Sequence, residues 1–101
     1  MKNQFFTEDA SGLIMTVDIP HKAVALKYPE GADLPFITAK GRGETAKKML
    51  ELARENNVHI EENAPLVDIL SAKDVNDAVP EEAFSALAAI FAFVLEREGR
   101  A

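Results

Sequence analysis

No cysteine occurs among the 101 residues, which excludes disulfide staples, thiol catalysis and zinc–thiolate sites together. The absence fits a reducing compartment. Nor is there a long hydrophobic run. The longest, Ala86 to Leu95, falls far short of the roughly 20 residues a membrane-spanning helix needs. The start, MKNQFFTEDASG, has no apolar centre and turns acidic at once, so it does not read as a signal peptide. Basic residues are in deficit. Eleven Lys and Arg against seventeen Asp and Glu leave a formal charge of −6, which repels phosphate backbones and argues against nucleic-acid binding. Internal repeats and low-complexity segments are also lacking. A cytoplasmic protein is the simplest expectation.

What is present is enough for one globular domain. Hydrophobic residues make up 48% of the chain and charged residues 28%, ordinary usage for a protein that offsets chain entropy with a core. Residues 1–12 read as a flexible arm whose apolar anchors are Phe5 and Phe6, with 13–101 as the domain. From Leu13 to Asp18 the residues are rich in β-formers, and they predict a first strand. Pro20 interrupts it, because proline removes a ladder donor. His21 to Tyr28 has polar ends and an apolar middle, the pattern of a strand buried on both faces. These two strands either pair as a hairpin or diverge. Pro29 to Pro35 reads as a loop, and Phe36 to Lys40 as a third strand ended by Gly41 and Gly43.

An amphipathic helix is expected over Glu44 to Asn57, with Ala46, Met49, Leu50 and Ala53 on one stripe and Asn56-Asn57 as its stop. A short strand (Val58 to Glu61) and a short helix (Leu66 to Leu70) follow, then an irregular stretch from Ser71 to Val79. The last helix is expected from Pro80 to about Glu98, capped by Gly99. Its apolar arc is unusually wide, since Ile90, Phe93 and Val94 extend the stripe of Phe84, Leu87, Phe91 and Leu95. The surplus implies either burial between two layers, the favoured reading, or an exposed docking surface. The whole predicts an α/β single domain, a small mixed four-stranded sheet flanked by helices. The third strand, first helix and fourth strand form a right-handed parallel crossover in this reading.

Chemistry-bearing patterns are sparse. There is no nucleophile elbow, phosphate loop or metal-ligand spacing, and no cofactor or metal is expected. His21 and His59 are the only histidines. With nearby acids such as Asp18, Glu61 and Glu62 they open one alternative, a small hydrolase or metal-dependent enzyme. Strand alternation, however, puts His59 and Glu61 on a solvated face, and His21 sits beside a turn. Lys40, Arg42, Lys47 and Lys48 make the one basic cluster, at a strand end and a helix start that favours anions, although a solvated face explains it better.

Several segments in order resemble the cytoplasmic domain of the flagellar and type III secretion export-switch proteins, the FlhB-like family. They are His21 to Tyr28, Pro35 to Gly41 with the helix to Ala53, Glu62-Asn63-Ala64-Pro65-Leu66, and Val79 to Phe84 with the apolar helix after it. The resemblance covers about residues 13 to 97. It implies a non-enzymatic, protein-binding component of protein export, peripheral at the export apparatus, whose partners are export-gate proteins or export substrates. A hydrophobic spot of Leu34, Pro35, Ala88 and Phe91 is the candidate partner site. The same four residues are equally explained as core and loop packing. On the docking reading, a polar residue at Phe91 abolishes binding and leaves the fold intact. The family carries a membrane portion ahead of this domain, so the sequence is read as a freestanding version. A further alternative is a regulatory domain that kept the fold and lost the export role. At Asp68, where the family usually has a basic residue, the charge is inverted.

The family's hallmark is self-cleavage in an Asn-Pro-Thr-His turn, where the Asn amide attacks its own main-chain carbonyl and expels the next residue. Here the turn reads Asp18-Ile19-Pro20-His21. The histidine survives, but a carboxylate replaces the amide nitrogen that the cyclisation uses. The chain is therefore expected to stay intact. Intact-mass spectrometry after long incubation should show one unchanged species, and a fragment ending at Asp18 would contradict this.

Overall fold

The computed structural model describes residues 12–19 and 21–99; Pro20 and the arm up to Ser11 lie outside the described residues. The element order is β1 (Leu13–Asp18), β2 (Lys22–Lys27), β3 (Phe36–Arg42), α1 (Glu44–Glu55), β4 (His59–Glu62), α2 (Ala64–Ser71), a 3-10 turn (Glu81–Ala83) and α3 (Phe84–Arg97). One mixed sheet has the order β3-β2-β1-β4. β1 and β2 pair antiparallel with Leu13 opposite Lys27, which settles the hairpin. β4 runs parallel to β1, with Ile14 opposite His59. β3 is antiparallel to β2, hence parallel to β4 at the far edge. The crossover through α1 thus spans the two central strands.

Side-chain alternation divides the core in two. On one face Leu13, Met15, Val17, Ala23, Ala25 and Ala39 meet α1 through Ala46, Met49 and Ala53. Ala23, Ala25 and Ala39 of the sheet give α1 a shallow bed, which its own Ala46 and Ala53 meet closely. On the other face Ile14, Val24, Leu26 and Ile37 meet α2 and α3 through Leu66, Val67, Leu70, Leu87, Phe91 and Val94. The central strands are therefore covered on both sides, as the unbroken apolar middle of β2 requires. The Cα radius of gyration of 12.3 Å is close to that of one compact domain, about 13 Å at 100 residues.

Local signals set the element ends. α1 closes in a Schellman arrangement: the Val58 N–H donates to the Ala53 carbonyl (2.9 Å) and the Asn57 N–H to that of Arg54 (3.3 Å). Asn57 takes the left-handed conformation at φ 56°, and Gly99 does the same after α3 at φ 75°. α2 begins two residues earlier than expected. The Asn63 side chain accepts from the Leu66 N–H (3.1 Å), so Asn63 is the N-cap and Pro65 falls in the first turn, where a missing N–H costs nothing. The last helix begins as a 3-10 turn after Pro80 and becomes α-helical at Phe84.

Three expectations need correction. β3 does not end at Lys40 but runs to Arg42, with Gly41 inside it. The stretch after α2 is not wholly irregular. Ala78 bridges Phe36, and the Ile37 N–H donates to the Asp77 carbonyl (2.9 Å), so this segment covers the start of β3's outer edge at Phe36 and Ile37. Finally, α3 is not buried between two layers. It is an outer helix whose surplus aromatics face outward, Phe84 being 40% and Phe93 51% exposed.

Gly41 sits inside the strand because α1 crowds it. A Cβ there would lie 2.7 Å from the Met49 sulfur, 2.7 Å from the Thr45 methyl and 3.2 Å from the Ala46 backbone nitrogen. The side-chain ends can swing away, but the helix backbone must shift. Gly41→Ala should therefore lower stability by about 1–3 kcal/mol, the usual cost of overpacking, read as a lower urea midpoint; an unchanged midpoint would show that α1 is free to slide.

Candidate docking groove

The loop between β2 and β3 is shaped by a turn at Pro29 to Ala32, whose N–H donates back to the Pro29 carbonyl (3.1 Å), and by Gly31 at φ 83°. Its far end is pinned, because the Val79 N–H donates to the Pro35 carbonyl (3.1 Å). This sets Leu34 and Pro35 beside α3. Tyr28, at the end of β2, meets Phe91 edge-on with ring centroids 5.4 Å apart. Between these parts lies a groove of about 190 Å³ lined by Tyr28, Leu34, Pro35, Phe84, Ala88 and Phe91, among others. Small-molecule pockets usually enclose about 300–1,000 Å³. A groove of this size suits one or two apolar side chains of a polypeptide.

All four residues singled out from the sequence, Leu34, Pro35, Ala88 and Phe91, line this one groove. Their roles differ. Leu34 and Ala88 are exposed, whereas Pro35 is buried and Phe91 is 3% exposed within the main core. Phe91 is thus the floor of the groove and a core residue at once. A polar residue there would strip the core, contrary to the expectation that the fold would survive it. Phe84 and Tyr28 also line the groove and were missed. The sequence signal for Phe84 was its place on the same α3 stripe as Leu87 and Phe91.

The histidines do not share a site. His21 is exposed at the Asp18 end of the sheet, where its N–H donates to the Asp18 carbonyl (2.6 Å) and closes the turn. His59 stands opposite Ile14, four residues or roughly 13 Å of strand away. Its Nε2 lies 2.9 Å from Glu61 Oε1, and its ring meets Phe93 of α3 at 5.7 Å. Among the described residues, no three His, Asp or Glu side chains converge as a metal set would. A larger concavity, about 520 Å³, lies between α1 and the β1–β2 turn, lined by Val17, Asp18, Ile19, Lys22, Leu50 and Arg54 among others. Asp18 and Ile19 of the altered turn therefore open on the α1 face, away from the groove.

The basic cluster is not one patch. Lys40 Nζ donates to the carbonyls of Ser71 (3.2 Å) and Lys73 (2.6 Å), satisfying the C-terminal end of α2. Lys47 belongs to α1 on the opposite face. The inverted charge at Asp68 also has a partner, because Lys22 Nζ lies 2.8 Å from its Oδ1. Both side chains reach water, so this pair is worth only about 0.2–1 kcal/mol.

A four-stranded mixed sheet covered on both faces by helices, with a small apolar groove beside the outer helix, defines a small α/β domain. Residues 14–94 match the model of the FlhB HrpN YscU SpaS family, and the chain belongs to that family of flagellar and type III export proteins. It is 45% identical over 76 residues to the flagellar biosynthetic protein FlhB of Bacillus subtilis, covering 73% of this chain and 21% of that protein. It is 36% identical to the uncharacterized protein YlqH of the same organism, covering 72% of this chain and 80% of YlqH. The crystal structure of the cytoplasmic domain of FlhB from Shewanella putrefaciens superposes with a TM-score of 0.75 at 33% identity, over 91% of this chain and 75% of that one. The chain thus spans about a fifth of the FlhB protein it matches and most of YlqH.

Lys40 gives a direct test of its structural role. Lys40→Met keeps the stem and removes the charged donor, so stability should fall by about 1–2 kcal/mol, the scale of charged hydrogen bonds. No change in the urea midpoint would return Lys40 to the solvated surface.

Proposed function

We propose that this chain is a non-cleaving, protein-binding component of flagellar or type III protein export, working in the cytoplasm at the export apparatus and without enzymatic activity. The observation that carries the reading is the convergence of Leu34, Pro35, Ala88 and Phe91 on one apolar groove beside a partly exposed Phe84. Its size admits an apolar side chain from a polypeptide and not a drug-sized metabolite. The rigid floor of Phe91 and Tyr28 is pre-organised, which reduces the ordering cost of binding. Export-gate proteins or export substrates are the partners that the family relationship suggests.

The lack of cleavage follows from Asp18. Its side chain has no nitrogen to close the ring that releases the next residue. The His21 N–H donates to the Asp18 carbonyl across this turn.

Ala88→Glu is the sharp variant, because Ala88 is exposed, helical and outside the core, and Glu is a good helix former. Tagged chain recovered from its own cells should carry export-gate proteins or export substrates, identified by mass spectrometry. Ala88→Glu should cut that recovery at least tenfold, the order of a lost interface anchor, while the melting curve stays unchanged. Equal recovery with both chains, or none of these proteins with either, would overturn the reading.

A further inference from the structure

The groove is apolar inside, and the segments that build it carry charge of one sign. Residues 28–36 and 74–95 together hold six acids, Glu30, Asp33, Asp74, Asp77, Glu81 and Glu82, and no Lys or Arg. All six acids are exposed. The chain has eleven basic residues, so bases are placed elsewhere rather than lacking. Lys27 and Lys73 flank the two stretches. Lys27 stands opposite Leu13, which faces α1, so it falls on the other side of the sheet from the groove. Lys73 lies just past the end of α2, where its carbonyl accepts from Lys40 Nζ (2.6 Å).

Two of the acids are fixed on opposite walls. Asp33 lines the groove beside Leu34, and the Tyr28 hydroxyl lies 3.5 Å from its carbonyl, which ties this part of the loop to the floor. On the helix side the Phe84 N–H donates to the Glu81 carbonyl and closes the 3-10 turn. Residues three apart eclipse in a 3-10 helix, so Glu81 shares the face of the exposed Phe84. An apolar slot between carboxylates repels an acidic segment and attracts a basic one. An incoming Lys or Arg can lay its stem on Leu34 or Phe84 while its charge reaches Asp33 or Glu81.

We propose that the groove takes an apolar side chain from a polypeptide segment flanked by Lys or Arg, and that Asp33 and Glu81 select the flanking charge. The proposal rests on the reading of that groove as a docking site and adds its specificity. The slot anchors any apolar side chain of the right size, and the rim discriminates among the segments that carry one.

Two synthetic peptides with one apolar centre, Lys-Lys-Phe-Leu-Lys-Lys and Glu-Glu-Phe-Leu-Glu-Glu, test this on the full chain. Binding is read from the backbone amide NMR signals of Leu34 and Ala88. The lysine peptide should shift both signals and bind at least about fivefold more tightly than the glutamate peptide, the scale of two exposed ion pairs. Asp33→Asn with Glu81→Gln, both exposed and matched in size, should remove that advantage. Glu51→Gln with Glu55→Gln takes the same two charges from the exposed face of α1 and should leave the advantage in place, which separates the rim from the net charge of −6. Equal affinity of the two peptides at Leu34 and Ala88 would remove the charge selection and leave the docking site standing. An advantage that survives the rim pair, falls equally with the α1 pair, or comes with shifts only at other residues would also overturn the proposal. Failure of both peptides to bind would overturn it too, and recovery of partners by the wild-type chain against Ala88→Glu would still decide the groove.

Discussion

The structure depends on one constraint: β1 and β2 must be dry on both faces. Every residue from Leu13 to Val17 and from Ala23 to Leu26 is buried, and Thr16 is the only polar one among them. Fully burying each large aliphatic side chain contributes about 1.5–3 kcal/mol, so leaving either face open would forfeit much of the domain's stability. Two helix layers are therefore compulsory. The bed of alanines selects a close-packed α1 on one side. The larger Ile14, Val24, Leu26 and Ile37 demand the longer apolar side chains of α2 and α3 on the other.

The groove is a by-product of that arrangement. α2 and α3 share one face of a four-stranded sheet, and α3 buries only Leu87, Phe91 and Val94 fully. Ala86, Ile90 and Leu95 pack partly buried against the same core, while Phe84 and Phe93 meet no third layer among the described residues. At Phe93 the surplus is partly absorbed, because His59 stands beside the ring at 5.7 Å and the Arg97 guanidinium lies over it at 5.4 Å. At Phe84 and Ala88 it is not absorbed, and there the β2–β3 loop supplies a second wall. One residue, Phe91, couples the two roles, since the same ring seals the core and floors the groove. Stability and the proposed recognition are therefore separable only at the rim.

Much of this was legible in the sequence, for physical reasons that differ by element. The strands were readable because double-sided burial leaves unbroken apolar runs. The end of α1 was readable because Asn tolerates the left-handed backbone. Asn63 escaped notice as a cap because the reading began α2 after Pro65, although Asn is a preferred N-cap and Pro is tolerated in the first helical turn. Gly41 looked like a strand end. Its real role, making room for α1, depends on a contact that sequence spacing does not display. The four groove residues came from the surplus arc together with the family resemblance. Which of them are rim and which are floor required burial, and the wide arc of α3 does not reveal that its helix lies on the outside. Lys40 and Lys47 looked like neighbours in sequence, but strand alternation and the crossover send them to opposite faces.

The central claim is that partners are met on the α3 face and not on the face of α1. Site-specific photo-crosslinking in cells tests it most directly, with a benzoylphenylalanine placed at exposed Leu34 in one chain and at exposed Glu51 of α1 in another. The account predicts adducts with export-gate proteins or export substrates from position 34 and none from position 51. Adducts from position 51 with position 34 silent would place the docking surface at the concavity between α1 and the β1–β2 turn, and would contradict the account.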